Sequence, residues 1–134
     1  MITKNKSKAK FKWVEPYDDI IIAEFFNHLN LDINAAMEIV RHRLSFTNNK
    51  KHYLVIDASN VSNMTSEAKK YLQMPEHGLK NILGAAVVAS SPLSALIANI
   101  FVKTPSDFQS RFFSRMDDAM GWIISKKKRE SAVD

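Results

Sequence analysis

The sequence predicts a single α/β domain built around a mixed, mostly parallel sheet. Two apolar runs without an internal charge, residues 53–56 (YLVI) and residues 82–89 (ILGAAVVA), are typical of strands buried on both faces. Each run leads into a polar turn and then a helix start, and helical connections between strands imply parallel pairing. The predicted order is β-β-α-β-α-β-α-β-α, with helices packed on the sheet and an antiparallel hairpin at the beginning.

The first half of the chain supplies the hairpin, one helix and one central strand. Residues 10–15 alternate apolar and polar side chains, and residues 20–26 are mostly β-branched or aromatic, so both segments are predicted strands. Asp32 is predicted to cap the first helix, because its carboxylate can accept from free amides of the first turn. The central strand of this half is residues 52–57. The apolar positions of the helix recur at helical spacing at Ile33, Ala36, Met37, Val40 and Leu44.

The second half continues the same alternation of helices and strands. Thr65 or Ser66 is predicted to begin the second helix, and residues 82–89 form the fourth strand. Pro92 suits the first position of a third helix, where its missing amide hydrogen costs nothing. A shorter strand at residues 109–113 and a last helix complete the domain.

The length and composition fit one soluble globular domain. The chain has 134 residues, of which 46% are hydrophobic and 25% charged. It has no cysteine, which excludes a disulfide framework, a thiolate metal site and a cysteine nucleophile. The basic N-terminus is not followed by an apolar run, so no signal peptide is predicted, and we expect a cytoplasmic protein.

The net charge of +5 comes from the two ends of the chain. Five lysines lie within residues 4–12 and four basic residues within residues 126–129, whereas residues 13–125 contain 10 basic and 12 acidic residues. We therefore predict a folded domain at residues 10–125 between basic tails at residues 1–9 and 126–134. Specific nucleic-acid binding needs basic residues on a folded face, so no such partner is predicted.

Residues 81–102 contain no charged residue and are numerous enough to span a bilayer. Ser91 and Pro92 interrupt this stretch in its middle, and proline disfavours helical geometry in the residue before it. The stretch is therefore predicted to be a strand, a turn and a helix within the protein, and no transmembrane segment is expected.

The predicted third helix is apolar or small on nearly every side. A helix that is apolar all round is expected to be buried all round, while one domain covers only one side of a peripheral helix. We expect a protein partner or a second copy of the chain to cover the rest, with a ligand and local burial as the alternatives. The residues predicted to make this contact are Pro92, Leu93, Leu96, Ala98, Asn99 and Val102.

Residues 59–66 are dense in hydroxyl and amide side chains and follow a buried strand. In open α/β sheets, binding and active sites commonly lie at the carboxyl ends of such strands. We therefore predict an interaction loop here, although Asp57 can equally hold the loop by accepting hydrogen bonds. The residues of this predicted loop are Asp57, Ser59, Asn60, Ser62 and Asn63.

No catalytic or metal-binding pattern is visible. The four histidines have no partner histidine three or four residues away, and the three glycines form no phosphate-binding loop. We therefore predict no metal, no cofactor and no enzymatic activity.

Taken in order, the segments YLVIDASNV, TSEA, VVASSPLSALIANIF and RFFSRMDDAMGWI resemble the STAS fold of sulphate transporters and anti-sigma factor antagonists. More narrowly, residues 11–124 are similar to small bacterial SpoIIAA-like, or STAS/SEC14-like, proteins. The resemblance implies a cytoplasmic, non-enzymatic regulatory or interaction module. Its SEC14-like side implies an alternative, a binder of a small apolar or lipid-like ligand in a cavity beneath the third helix.

The resemblance also implies a site of phosphorylation. Anti-sigma factor antagonists carry an Asp-Ser-Ser-Gly signature at the start of the second helix, and one serine there accepts phosphate. This chain has Thr65, Ser66, Glu67 and Ala68 in that place, so the flanking Asp and Gly are replaced. Ser66 falls on the phosphoacceptor position and Thr65 is its neighbour, while helix capping is the structural alternative for both hydroxyls.

Overall fold

The computed structural model describes residues 8–26, 28–92, 95, 99 and 107–131. Pro92, Ala95 and Asn99 have helical backbone, and the Ala95 amide donates to the Ser91 carbonyl at 2.9 Å. The helices are α1 (Ile33–Phe46), α2 (Ser66–Leu72) and α3 (Met116–Ser131), and the strands are β1 (Ala9–Trp13), β2 (Ile20–Phe25), β3 (Leu29–Leu31), β4 (His52–Asp57), β5 (Val61–Met64), β6 (Ile82–Val88) and β7 (Gln109–Phe113).

The main sheet has five strands in the order β1-β2-β4-β6-β7. β1 is antiparallel to β2, and all other neighbours are parallel. The two long apolar runs lie side by side, because Val55 pairs with Ala86 and Ile56 pairs with Val87. The predicted mixed, mostly parallel sheet is therefore confirmed.

A second, two-stranded parallel sheet pairs β3 with β5. This sheet was not predicted. The predicted order β-β-α-β-α-β-α-β-α therefore lacks two strands, β3 before α1 and β5 before α2. The strands of this sheet have only three and four residues, which is too few for a period of two to be recognised. Part of the segment predicted as a loop is thus a strand.

Both faces of the main sheet are covered. α1 and α2 pack on one face, around Leu54 and Ile56, and α3 packs on the other face, around Tyr53 and Val55. Successive side chains of a strand point to opposite faces, so residues 52–56 of β4 are all buried only because both layers are present. This accounts for its apolar run without alternation.

Two helices begin at the caps expected from the sequence. The carboxylate of Asp32 accepts from the Ala35 amide at 2.9 Å, and the hydroxyl of Thr65 accepts from the Ala68 amide at 3.2 Å. Each bond satisfies one of the amides left without a partner in the first helical turn.

The structure corrects the predicted boundaries of the folded domain. β1 begins at Ala9 and α3 continues to Ser131, so residues 126–131 of the expected basic tail are helical. Lys126 is buried, and its stem lies so close to the sheet that a Cβ on Gly84 would stand 2.5 Å from the lysine Cε. The apolar stem of a lysine can cover a sheet while its ammonium group reaches a carboxylate.

Within the described part of the chain, the structure contains no helix with both the length and the apolar character needed to cross a membrane.

Candidate functional site

The carboxyl ends of the parallel strands meet along one edge of the main sheet. Just past β4, the Ala58 amide donates to the Val88 carbonyl at 2.9 Å, and just past β6, the Ala89 amide donates to the Phe113 carbonyl at 3.0 Å. The polar residues that follow β4 and β6 are also neighbours, since the hydroxyls of Ser90 and Ser59 lie 3.5 Å apart. The polar turns that follow β4 and β6 therefore lie together at one edge of the main sheet.

Asp57 holds the turn that follows β4. Its carboxylate accepts from the Ser59 amide at 3.1 Å, two residues further along the chain. This contact is an Asx turn, which lets an aspartate stabilise its own local backbone. The structure therefore places Asp57 in the loop-holding role that the sequence left open.

The polar residues after Asp57 are exposed but held in place. The side-chain amide of Asn60 donates to the Phe25 carbonyl at 3.1 Å, and the hydroxyl of Ser62 donates to the Leu29 carbonyl at 3.0 Å. The side-chain amide of Asn63 donates to Asn30 Oδ1 at 2.9 Å. Three long-range hydrogen bonds thus fix a segment that composition alone presents as a flexible loop.

Phe26 adds an exposed aromatic ring next to this segment, with 47% of its surface accessible. It directly follows Phe25, whose carbonyl receives the Asn60 side chain. The sequence predicts Phe26 at the end of a strand, and a strand run alone does not tell whether its last side chain is covered. We call Phe26, Ser59, Asn60, Ser62 and Asn63 the rim surface.

The two candidate phosphoacceptors occupy different environments. The Thr65 hydroxyl is engaged as the cap of α2, and Thr65 is half-buried. Ser66 is the first residue of α2 and is exposed. Of the two hydroxyls, that of Ser66 is therefore the more accessible to a modifying enzyme.

The predicted third helix is only partly within the described residues. Pro92 and Asn99 are helical and exposed, and Ala95 between them is half-buried. The other predicted contact residues, Leu93, Leu96, Ala98 and Val102, lie outside the described residues. The expectation of a partner or a second copy on this helix stays a prediction.

The amino ends of the strands hold a buried arginine that the sequence analysis did not identify. Arg43 of α1 is 3% exposed, and its guanidinium donates to the carbonyls of Lys80 at 2.9 Å, Gly78 at 3.2 Å and His77 at 3.3 Å. It also donates to Nε2 of His52 at 2.9 Å. The acceptors lie 9 to 37 residues away in sequence, so no local pattern could have indicated them.

His52 is fully buried beside this guanidinium. Its Nδ1 lies 2.8 Å from the Lys50 carbonyl, so Nδ1 carries the proton and Nε2 accepts from Arg43. Burial, and then the charge of Arg43, lower the pKa of His52 to about 4, although the bond to Lys50 opposes this. Burial also lowers the pKa of Arg43 to about 10. At neutral pH the pair is one cation and one neutral ring.

On the opposite face, a polar network joins α3 to the amino ends of β2 and β4. Tyr53 donates to Glu130, which also pairs with Lys126, and Lys127 lies 3.3 Å from Asp19. Burial, then the hydrogen bond to Glu130, raise the pKa of Tyr53, so its hydroxyl stays protonated. These groups use one another as partners, and the network fixes the helix on the sheet.

The described residues contain no group of three or more histidine, aspartate or glutamate side chains able to hold a metal ion. An apolar cavity of about 40 Å³ lies beneath α1 and α2, lined by residues such as Phe11, Leu54 and Leu72. That volume has room for a few water molecules and is too small for a lipid-like ligand. The ligand alternative stays a prediction.

The fold resembles that of a solved structure. The crystal structure of an uncharacterised protein of the DUF3478 family from Shewanella loihica, with a SpoIIAA-like fold, superposes with a TM-score of 0.64 at 13% sequence identity. The match covers 92% of this chain and 99% of that chain. The SpoIIAA-like fold suggested by the sequence is therefore confirmed, and at this identity the likeness concerns the fold alone.

A comparison with curated proteins finds no match for this sequence. A family model, described as a domain of unknown function, DUF7793, matches residues 12–127. That range runs from the last residues of β1 into α3 and includes the other four strands of the main sheet. The chain is therefore a member of the DUF7793 family.

Proposed function

We propose that the protein is a non-enzymatic interaction module that binds a protein partner through the rim surface. One observation carries this proposal: the polar side chains of this surface are exposed, yet hydrogen bonds to β2 and β3 hold Asn60, Ser62 and Asn63. Ordering flexible side chains opposes association. A surface that is already ordered before contact loses less entropy on binding.

The composition of the rim surface supports the same reading. It combines an exposed aromatic residue, Phe26, with small hydroxyl and amide side chains, one of which donates to the carbonyl of the preceding Phe25. Aromatic residues are enriched among the residues that dominate the energy of protein interfaces, and polar groups commonly surround them. Phe26 is therefore proposed as the anchor residue of the interface, and the polar residues are proposed to form its periphery.

The absence of catalysis is part of the proposal and rests on how the polar groups are used. The Asp57 carboxylate accepts from the Ser59 amide, and the Thr65 hydroxyl accepts from the Ala68 amide. A general base must contact the proton that it abstracts, and a nucleophile must contact its base. Both groups instead stabilise the local backbone.

Ser66 is the proposed site of regulation by phosphorylation. It is exposed and lies three residues after Asn63 of the rim surface. A phosphate group would add nearly two negative charges there and change the electrostatics of partner binding. A phosphorylation map of cells in growth and under stress tests this role. Modification of Thr65 alone, or of neither residue under any condition, would remove it.

The binding proposal can be tested by site-specific photo-crosslinking in cells that carry the gene. A photoreactive amino acid in place of Ser62 is expected to capture one defined protein. The same amino acid in place of Met37, an exposed residue of α1, provides the matched control and is expected to capture none of it.

A second variant removes the proposed anchor from the same assay. Phe26→Ala in the Ser62-substituted chain is expected to reduce the crosslinked product at least fivefold without changing the amount of soluble protein. Equal capture at positions 62 and 37 would contradict the proposal. Capture at position 62 that is unchanged by Phe26→Ala would contradict it as well.

A further inference from the structure

We propose that a cleft at the amino ends of the parallel strands binds a small organic anion with an apolar body, such as an aliphatic or aromatic carboxylate. The cleft has a volume of about 760 Å³. Small-molecule sites in proteins typically measure about 300–1,000 Å³. It lies at the end of the strands opposite to the rim surface, so this inference does not depend on the proposed interaction function.

The inner wall of the cleft is apolar. Leu79 and Ile82 are buried residues that line the cleft, and Leu83 and Phe108, which also line it, are half-buried. An apolar ligand body would cover these side chains and remove their exposed surface from water, which is the main source of affinity in such sites.

The outer border of the cleft is charged. The exposed side chains of Lys51 and Lys80 lie on this border, and the exposed Asp107 is the acidic residue among the described lining residues. Among the described lining residues, two ammonium groups against one carboxylate leave a positive balance. A ligand that carries one negative charge beside its apolar body complements both parts of the cleft.

The wall that carries Lys80 is fixed before any ligand arrives. The Arg43 guanidinium donates to the carbonyls of Gly78 and Lys80, and the His52 amide donates to the Asn81 carbonyl at 2.9 Å. The side-chain amide of Asn81 donates to Asn49 at 2.7 Å. Bonds from α1, from β4 and from the turn between them thus hold the wall, and a preformed site loses little entropy on binding.

The first experiment titrates the full-length protein with sodium octanoate and follows backbone amide shifts by NMR. The amides of Leu79, Ile82, Leu83 and Phe108 are expected to shift together and saturate. The probes 1-octanol and octylammonium have the same chain with no charge and with a positive charge, and at least tenfold weaker binding is expected for each. Equal binding of octanoate and 1-octanol would overturn the anion assignment.

The second experiment changes the charge of the border. Lys51→Glu together with Lys80→Glu is expected to weaken octanoate binding at least tenfold, whereas Asp107→Asn is expected to tighten it about twofold. Lys69→Glu together with Lys70→Glu changes the same charge on exposed residues of α2 outside the cleft and is the control.

The pattern of results separates a site from adsorption. Binding weakened equally by the cleft variant and by the control variant would mean a general charge effect and would overturn the proposal. Shifts spread over the whole surface without saturation would mean detergent-like adsorption and would overturn it as well. Photo-crosslinking at the rim surface is expected to be unaffected by either double variant.

Discussion

At the amino ends of the strands, Arg43 and His52 are buried and bind each other and the backbone, whereas at the carboxyl ends Ser62 and Asn63 are exposed. Both ends are rich in polar contacts between segments distant in sequence. At the buried end the contacts satisfy buried or partly buried groups, so their loss leaves groups with little access to water without partners. At the exposed end water can replace each contact, and the same groups remain available to a partner.

The first and largest expected effect concerns the buried arginine. Arg43→Met removes the donor for three carbonyls and for His52, and we expect the free energy of unfolding to fall by about 4 kcal/mol, near 1 kcal/mol per lost bond. Urea denaturation measures this change. Arg41→Met, an exposed neighbour on the same helix, is the control and should change stability by less than about 0.5 kcal/mol. Equal effects of the two variants would contradict the difference between the two ends.

The second effect is a dependence of stability on pH. The pKa of His52 is lowered to about 4 in the folded protein, against about 6.5 in the unfolded chain, so the unfolded state binds more protons between these values. The contribution of His52 is complete above pH 6.5 and is lost as the pH falls, by about 3 kcal/mol at pH 4.

Urea denaturation at several pH values between 7 and 4 checks this prediction. Carboxylates also respond in that range, so the informative quantity is the difference between two variants. His52→Gln is expected to flatten the pH dependence, and His28→Gln, which removes an exposed histidine, is expected to leave it unchanged. The same slope in both variants would show that His52 does not contribute.

The third effect separates two neighbouring hydroxyls at the start of α2. Thr65→Ala removes the cap and should cost about 1 kcal/mol of unfolding free energy, whereas Ser66→Ala should change it by less than about 0.5 kcal/mol. Thermal or urea denaturation measures both. A larger loss for Ser66→Ala would mean that its hydroxyl serves the fold, and Ser66 would then be a poor candidate for modification.

The smallest expected effect concerns the proposed anchor. Phe26 keeps 47% of its surface accessible, so Phe26→Ala should lower the unfolding free energy by at most about 1 kcal/mol. The neighbouring Phe25→Ala is the comparison: that side chain is buried in the core, and about 3 kcal/mol or more should be lost. Similar losses for the two variants would place Phe26 among the residues that hold the fold.

The parts of the molecule that the sequence predicts well are those with local causes. The apolar run of β4 and the caps at Asp32 and Thr65 depend on residues within one short segment, and all three are confirmed. The short sheet of β3 and β5 escaped prediction, because its pairing joins segments about 30 residues apart and its strands are too short to show a period.

The candidate site was predictable to a lesser degree. The polar residues after Asp57 are recognisable from composition and from their place behind a buried strand. Their rigidity is not, because it depends on acceptors in β2 and β3 that lie 33 to 35 residues away. In the sequence, Arg43 is one charged residue of a predicted helix like any other. Only the tertiary structure shows the backbone carbonyls that accept from it.

The central claim is that the rim surface is exposed and yet ordered, and hydrogen exchange of backbone amides tests it most directly. The amides of Leu29, Val61 and Thr65 donate to the carbonyls of Asn60, Ala58 and Leu31. We expect these amides to exchange on the order of 100-fold more slowly than in an unfolded chain. Exchange at the unfolded rate, while the amides of Val55 and Val87 in the main sheet stay protected, would contradict the account.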